Sequence, residues 1–174
     1  DVCSSDLQQG SSREVHNSIV ELKEQGMQRL IFDLRNNGGG YLQEAVQIAD
    51  LFLPRDRLVV FTAGRAFEDT SKYFTEHDAQ LQDEPLIVLV NGQSASASEI
   101  IVGAVQDWDR GLVVGVTTVG KGSVQQVVNI DDKVELKLTM AAWHTPSGRS
   151  IDKRMRKDST LVDGSAKEYK TRLL

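Results

Sequence analysis

The sequence has 174 residues, of which 40% are hydrophobic and 26% charged, with a net charge of −5. These values are typical of a single globular domain with a sizeable core, and they exclude a disordered chain. A mildly acidic chain without a cluster of basic and aromatic residues offers no surface for nucleic acid. The longest apolar run, LIVLVN, is far shorter than the roughly 20 residues of a spanning helix, so we expect no integral membrane segment.

The only cysteine is Cys3, so an internal disulfide is excluded. The sequence also lacks zinc-type Cys/His spacing and an H-E-x-x-H helix. We therefore expect neither a metal nor a cofactor.

The stretch DVCSSDL, residues 1–7, is what the nucleotide string GAC-GTG-TGC-TCT-TCC-GAT-CTN encodes, and that string looks like the end of a common sequencing adapter. We interpret residues 1–7 as an assembly artefact to be excluded from the fold, with a native polar loop as the alternative. The chain would then be a fragment whose true N-terminal part is missing.

Hydrophobic periodicity predicts strands alternating with helices, followed by a hairpin. In chain order these are helix 13–28, strand 29–35, helix 41–53, strand 57–64 with a partner strand within 66–77, strand 85–92, helix 96–108, strand 111–117, and a hairpin of 123–130 with 133–145. This order predicts an α/β fold with a mixed β-sheet and flanking helices. We assign residues 8–151 to one core domain and the charged residues 152–174 to an insertion or a truncated C-terminal end.

Three serines alternate in the segment VNGQSASASEI, at positions 94, 96 and 98. Ser96 lies where a predicted strand gives way to a helix, so free helix N–H groups could meet negative charge developing near its hydroxyl. Serine is also a favoured N-cap residue, and Glu99 follows at capping-box spacing. The pattern alone leaves both roles open and favours the cap.

A nucleophilic serine needs a base, and two candidates stand out. His144, at the end of a predicted strand, could form a triad with Asp152, although no motif supports it. Lys121 lies between two glycines after strand 111–117, where a lysine could be turned inward beneath a loop. A lysine can serve as a base when burial lowers its pKa from about 10.4 towards neutrality. An isolated surface charge is the alternative for Lys121.

The glycine run 38–40, between a strand and a helix, allows three interpretations. Phosphate binding has little support, because the spacings of both phosphate-binding glycine motifs are absent. The run could instead supply backbone N–H donors to an oxyanion, because glycine lets the chain approach a substrate closely. A plain tight turn is the third interpretation.

Taken together, several segments closely resemble the carboxyl-terminal processing peptidases, also called tail-specific proteases. They are DLRNNGGGYLQEAV, NGQSASASEIIVGAVQD, VGKGSVQQVV and LKLTMAAWHTPSGRSI, in the order of that family. The resemblance runs from about residue 30 to residue 151. It implies a serine endopeptidase with a Ser/Lys dyad on a core like that of the Clp protease and crotonase superfamily, acting on the C-terminal tails of protein substrates.

The resemblance also implies the site residues. The nucleophile is Ser96 and the base is Lys121, 25 residues later. Gln125, four residues after the lysine, completes the dyad in some members, and a spacing of four on a strand puts both residues on the same side. The oxyanion hole is formed by the backbone N–H groups of Ala97 and Gly39.

The chain departs from the family pattern at several points. Gly38 replaces a proline, which should not remove a donor. The PDZ-like domain expected in the full-length parent is missing, and the chain ends before the usual GI-x-PD strand, so we interpret it as a truncated core. The family is generally extracytoplasmic in bacteria, which implies a periplasmic location. The alternative functions are an inactive tail-binding module and a crotonase-like acyl-CoA enzyme.

Overall fold

The computed structural model describes residues 6–64, 70–131 and 134–155. Its helices are α1 Ser11–Glu24, α2 Leu42–Asp50 and α3 Ala97–Asp107. Its strands are β1 Leu30–Asp33, β2 Leu58–Gly64, β3 Lys72–Phe74, β4 Leu86–Val90, β5 Leu112–Gly115, β6 Ser123–Asp131 and β7 Val134–His144. A short 3₁₀ helix, Lys153–Met155, follows.

The strands form two sheets. The first has the order β1-β4-β5, and both of its pairings are parallel. The second has the order β3-β2-β7-β6, and all of its pairings are antiparallel. The predicted α/β class is therefore confirmed, with parallel and antiparallel pairing divided between two sheets.

Each predicted helix and strand is present, and the ends of those with predicted bounds differ by no more than four residues. The partner strand expected within 66–77 is β3, which pairs with β2. The first helix ends at Glu24 and not at Gln28, because the chain turns at Gly26, whose φ is 87°. Of the proposed 1–7 artefact, residues 1–5 lie outside the described residues, as do residues 156–174 of the charged end.

The hydrophobic core combines side chains from the three helices, from β4 and from β2. Its largest fully buried side chains include Phe52, Leu34, Ile48 and Leu53. Phe52 also meets Phe32 edge-on, with ring centroids 5.5 Å apart. Helix α3 is buried continuously from Ala97 to Val105, so its N-terminus is fixed in the core. None of the described helices is long and apolar enough to cross a membrane.

Candidate active site

Three loops follow the three strands of the parallel sheet and meet at its carboxyl edge. They are the glycine loop, residues 34–41, the serine loop, residues 91–96, and the lysine loop, residues 116–122. Loops after neighbouring parallel strands emerge on the same side, which is where open α/β sheets bind their ligands. The topology thus brings together the three segments that the sequence singled out.

The glycine and serine loops are joined by a ladder of hydrogen bonds. The Asn36 amide donates to Asn91 Oδ1 at 3.0 Å, and the Asn91 side-chain amide donates back to Asn36 Oδ1 at 2.7 Å. The Ala95 amide donates to the Asn37 carbonyl at 3.0 Å. These bonds fix the two loops relative to each other.

The three alternating serines have different environments. Ser94 is buried and donates to the Leu34 carbonyl at 2.7 Å, while the Ser98 hydroxyl donates to Asn37 Oδ1 at 2.6 Å. Both hydroxyls thus support the loops. Ser96 is half-buried and has φ 56° and ψ −116°, a conformation that L-residues rarely adopt. A strained turn directly before a buried helix is a position suited to a nucleophile.

Gly39 lies directly against the serine turn. A Cβ added at Gly39 would stand 2.6 Å from the Ala95 carbonyl oxygen, 2.7 Å from the Ala97 nitrogen and 2.8 Å from Ser96 Cβ, and its φ is 97°. Only glycine permits this approach. The structure therefore brings the two predicted oxyanion donors, Gly39 and Ala97, beside the predicted nucleophile.

The two backbone donors differ in their present partners. Among the described residues the Ala97 amide has none, as expected for the first residue of a helix. The Gly39 amide donates to Asn37 Oδ1 at 3.0 Å. The Gly38 amide donates to Asp6 Oδ1 at 3.0 Å, a bond that a proline at this position could not form.

Residues 6 and 7 pack on the glycine loop. Leu7 is buried, its amide donates to the Gly39 carbonyl, and its carbonyl accepts the Tyr41 amide at 2.9 Å. These contacts pair Leu7 with Gly40 in an isolated parallel bridge beside the candidate site. The adapter origin of residues 1–7 concerns the nucleotide sequence and stays a prediction.

Glu99 connects the serine loop to the lysine loop. This side chain is only 5% exposed, in the first turn of α3. Its Oε2 accepts the amides of Ser96 and Lys121, each at 2.8 Å. Its Oε1 accepts the Gly120 amide and the Thr118 hydroxyl, each at 2.6 Å. Sequence reasoning found the Ser96–Glu99 spacing but assigned it to helix capping alone.

The Lys121 side chain is exposed, which differs from the inward-turned lysine that the sequence suggested. The reason is that the backbone of the lysine loop faces Glu99, so the amide and not the side chain of Lys121 is directed into the core. Gln125 on β6 is also exposed and pairs with Thr139 across the hairpin. Lys121 thus lies just before the hairpin and Gln125 lies near its start.

The lysine loop contacts Asp152 and Lys153, which the sequence assigned to a charged end. The Lys153 amide donates to the Gly120 carbonyl at 3.2 Å. Asp152 is buried, and its backbone lies against Gly122. The described part of 152–174 is thus packed on the site, a contact that no hydrophobic periodicity signals.

His144, the alternative base, makes packing contacts within the second sheet. Its ring stacks on Phe61 at a centroid distance of 5.2 Å, and its Nδ1 lies 3.0 Å from the Ala142 carbonyl oxygen. Asp152, its suggested triad partner, forms an ion pair with Arg154 at 2.7 Å. These contacts give the histidine triad no support.

A buried acidic residue fastens the end of α3 to the turn after β7. Asp107 accepts the Ser147 amide at 2.9 Å and pairs with Arg149. Burial alone would raise the pKa of Asp107, but hydrogen bonds from Thr145 and Ser147 and the Arg149 charge hold it below its ordinary value. The carboxylate therefore stays charged and stabilises the turn.

The α/β core presents a serine on a strained turn, at a helix N-terminus and against a glycine loop, which is an arrangement that a serine hydrolase site would require. The family is shown by the sequence. The chain belongs to Peptidase family S41, whose sequence model matches residues 4–161. The resemblance inferred from the motifs is thereby confirmed.

Individual relatives agree with this assignment. The chain is 42% identical to a carboxyl-terminal-processing protease of Synechocystis sp. over 141 residues. This alignment covers 81% of this chain and 32% of that protein. It is 40% identical over 147 residues to the carboxy-terminal-processing protease of Bartonella bacilliformis, covering 84% of this chain and 33% of that protein. The chain thus spans about one third of the length of these curated relatives.

Solved structures show the same fold. The photosystem II D1 C-terminal processing protease matches with a TM-score of 0.77 and 35% sequence identity, over 84% of this chain and 37% of that one. A putative S41 protease from Bacteroides fragilis matches with a TM-score of 0.64 and 17% identity, over 86% of this chain and 41% of that one. The second likeness concerns the fold alone.

Proposed function

We propose that this chain is the catalytic core of a serine endopeptidase that cleaves the C-terminal tails of other proteins. Its family and the activities for which its relatives are named support the class of reaction. The observation that carries the proposal is the shared contact at Glu99, whose Oε2 accepts the amides of both Ser96 and Lys121. The proposed nucleophile and base therefore belong to loops that meet at one atom.

In the proposed reaction, Ser96 Oγ attacks the carbonyl carbon of a peptide bond while the amine of Lys121 accepts the hydroxyl proton. Because the Lys121 side chain is exposed in this structure, the proposal requires the bound substrate to shield the amine from water and so favour its neutral form. The tetrahedral intermediate collapses as the proton passes to the leaving amine, which departs and leaves an acyl-enzyme. Water then attacks the ester and releases the shortened substrate, with the lysine again moving the proton. Gln125 is assigned to orienting the amine.

The oxyanion of the intermediate would bind the Ala97 and Gly39 amides. The Ala97 amide is available in this structure, whereas the Gly39 amide would have to exchange Asn37 Oδ1 for the substrate oxygen. Loss of one such donor typically costs about 3 to 4 kcal/mol of transition-state stabilisation. The close approach of Gly39 to Ser96 supports this assignment.

The family supports a proposal for where the reaction takes place. We propose a bacterial, extracytoplasmic enzyme, periplasmic where the organism has a periplasm, and a parent protein in which a PDZ-like domain recognises the substrate tail. The coverage of about one third of the relatives leaves length for such a domain.

The proposal is tested by cleavage of an unstructured peptide of about 20 residues with a free C-terminus, followed by mass spectrometry. We expect cleavage by the unaltered chain and its loss, by at least a hundredfold, in Ser96→Ala and Lys121→Ala. Ser12→Ala and Lys137→Ala serve as controls, because both positions lie away from the three loops. Cleavage by Ser96→Ala or Lys121→Ala at the unaltered rate would contradict the assignment.

The alternative functions predict different results. An inactive tail-binding module would bind the peptide without cutting it or forming an acyl-enzyme. A crotonase-like enzyme would bind coenzyme A esters, and its activity would not depend on Lys121. Neither alternative is favoured by the family match.

A further inference from the structure

We propose that Glu99 is a positioning residue that holds the lysine loop in register with the nucleophile. This inference rests on the proposed function, because the position of the lysine loop relative to Ser96 affects catalysis only if Ser96 and Lys121 react together. The Glu99 carboxylate touches no reacting atom in the proposed mechanism. It acts through the backbone of Lys121.

The contacts of Glu99 use its full capacity as an acceptor. An ionised carboxylate has about four lone-pair sites, and four donors occupy them here. Three of the donors belong to the lysine loop and one to the serine turn. One side chain thus fixes the lysine loop at three points to the residue that carries the nucleophile.

The shared oxygen limits the distance between the backbones of Ser96 and Lys121. Because Oε2 accepts both the Ser96 and Lys121 amides at 2.8 Å, the two nitrogens lie within two hydrogen-bond lengths of each other. The Lys121 side chain is exposed and makes no hydrogen bond or ion pair among the described residues. Its backbone is therefore the part that is held, and Glu99 is what connects it to Ser96.

A general contribution to stability does not explain this arrangement by itself. Burying a carboxylate is costly, and the partners of Glu99 are amides and a hydroxyl, with no basic side chain paired to it in the described part of the chain. Glu44 offers a comparison within the same chain. It is 8% exposed and accepts the amides of Gly10 and Ser12 near 2.9 Å, away from Ser96.

The test compares Glu99→Gln with Glu44→Gln in the peptide-cleavage assay. Glutamine keeps the shape of the side chain, but its NH₂ group cannot accept an amide N–H. At the Oε1 position it loses the Gly120 contact, while the Thr118 hydroxyl can turn to accept from it; at the Oε2 position it loses the Ser96 and Lys121 contacts. We expect Glu99→Gln to lower kcat at least tenfold with KM changed less than threefold. We expect Glu44→Gln to keep kcat within twofold while lowering the melting temperature.

A double variant separates positioning from a structural role. If Glu99 acts through Lys121, then Glu99→Gln combined with Lys121→Ala is no slower than Lys121→Ala alone. A merely structural role would multiply the two losses and overturn the inference. A kcat of Glu99→Gln equal to that of the unaltered chain would overturn it as well.

Amide hydrogen exchange provides a readout that does not need activity. In Glu99→Gln we expect the Gly120 amide or the Lys121 amide, depending on which side the NH₂ group faces, to exchange at least tenfold faster, while amides of α1 stay unchanged. If the unaltered chain cleaves no peptide, or Ser96→Ala cleaves it normally, the proposed function fails. The exchange data then test the contact between Glu99 and the lysine loop separately, and unchanged exchange would overturn that contact.

Discussion

The parallel core and the β6–β7 hairpin differ sharply in how their residues are held. Helix α3 is buried at nine successive positions, and its N-terminal turn is tied to the glycine loop by hydrogen bonds. In contrast, β7 is exposed at every position from Val134 to Met140. Ser96 lies at the edge of the first region and Lys121 at the entrance to the second.

This difference separates two requirements of the proposed dyad. The nucleophile and the oxyanion donors are positioned by the packing of the core, so their geometry is built into the stability of the domain. The base has a fixed backbone and an exposed side chain. Substitutions in the core should therefore affect stability most, whereas substitutions at the hairpin entrance should affect chemistry with little effect on stability.

The largest expected effect is a cavity in the core. Phe52→Ala removes a fully buried ring and should lower the free energy of unfolding by about 3 to 5 kcal/mol. Leu138→Ala on the hairpin, where the leucine is 40% exposed, should cost less than about 1 kcal/mol. Urea denaturation of both variants measures the contrast. Equal losses would show that the hairpin is packed as tightly as the core.

Gly39→Ala should have the next largest effect on stability, about 1 to 3 kcal/mol, because the new methyl group meets the Ala95 carbonyl and the Ala97 nitrogen at a positive φ. Peptide cleavage should fall at least a hundredfold as the oxyanion donors move apart. Gly148→Ala is the matched control, since its φ is also positive but its added Cβ would meet no atom within 4 Å. Similar losses of activity in both variants would count against a role for Gly39.

Asp107 should make the free energy of unfolding depend on pH in the acidic range. Its pKa is lowered in the folded protein, so its contribution is complete above the ordinary value of 3.8 and is lost as the pH falls through the folded value. Asp107→Asn should cost about 1 to 2 kcal/mol at neutral pH and should flatten this acid-dependent loss. Chemical denaturation at several pH values from 6 to 2 measures both. An unchanged pH profile in the variant would contradict the assignment.

The smallest expected effect on stability belongs to Lys121→Ala, with a change within about 0.5 kcal/mol, because the side chain is exposed and only the backbone is held. The same substitution should lower peptide cleavage at least a hundredfold. Thermal unfolding and cleavage measured on one preparation test the pair of statements together. A loss above about 2 kcal/mol would indicate that the side chain supports the fold.

Much of the fold could be predicted from the sequence, because hydrophobic runs and helical periodicity report burial directly. The strand 86–90 and the helix 97–107 were both expected within one or two residues. The division of the strands between two sheets was not expected. Local periodicity identifies strands but carries no information about which strands pair across the chain.

The candidate site could be predicted only in part, for a similar reason. The Ser96 turn, the glycine loop and the lysine loop carry local signals, and parallel strand order brings them to one edge. The contacts of Glu99 with residues 118–121 and of Asp107 with Arg149 cross long stretches of chain. Such tertiary hydrogen bonds leave no local pattern, so the sequence suggested only a cap for Glu99 and did not single out Asp107.

The burial of α3 has a consequence for heat inactivation. A helix enclosed from Ala97 to Val105 cannot unfold locally, because its exposure would require the core to open. The turn that carries Ser96 should therefore keep its shape until the whole domain melts in one cooperative transition. Loss of the nucleophile geometry on heating should then coincide with calorimetric unfolding and not precede it.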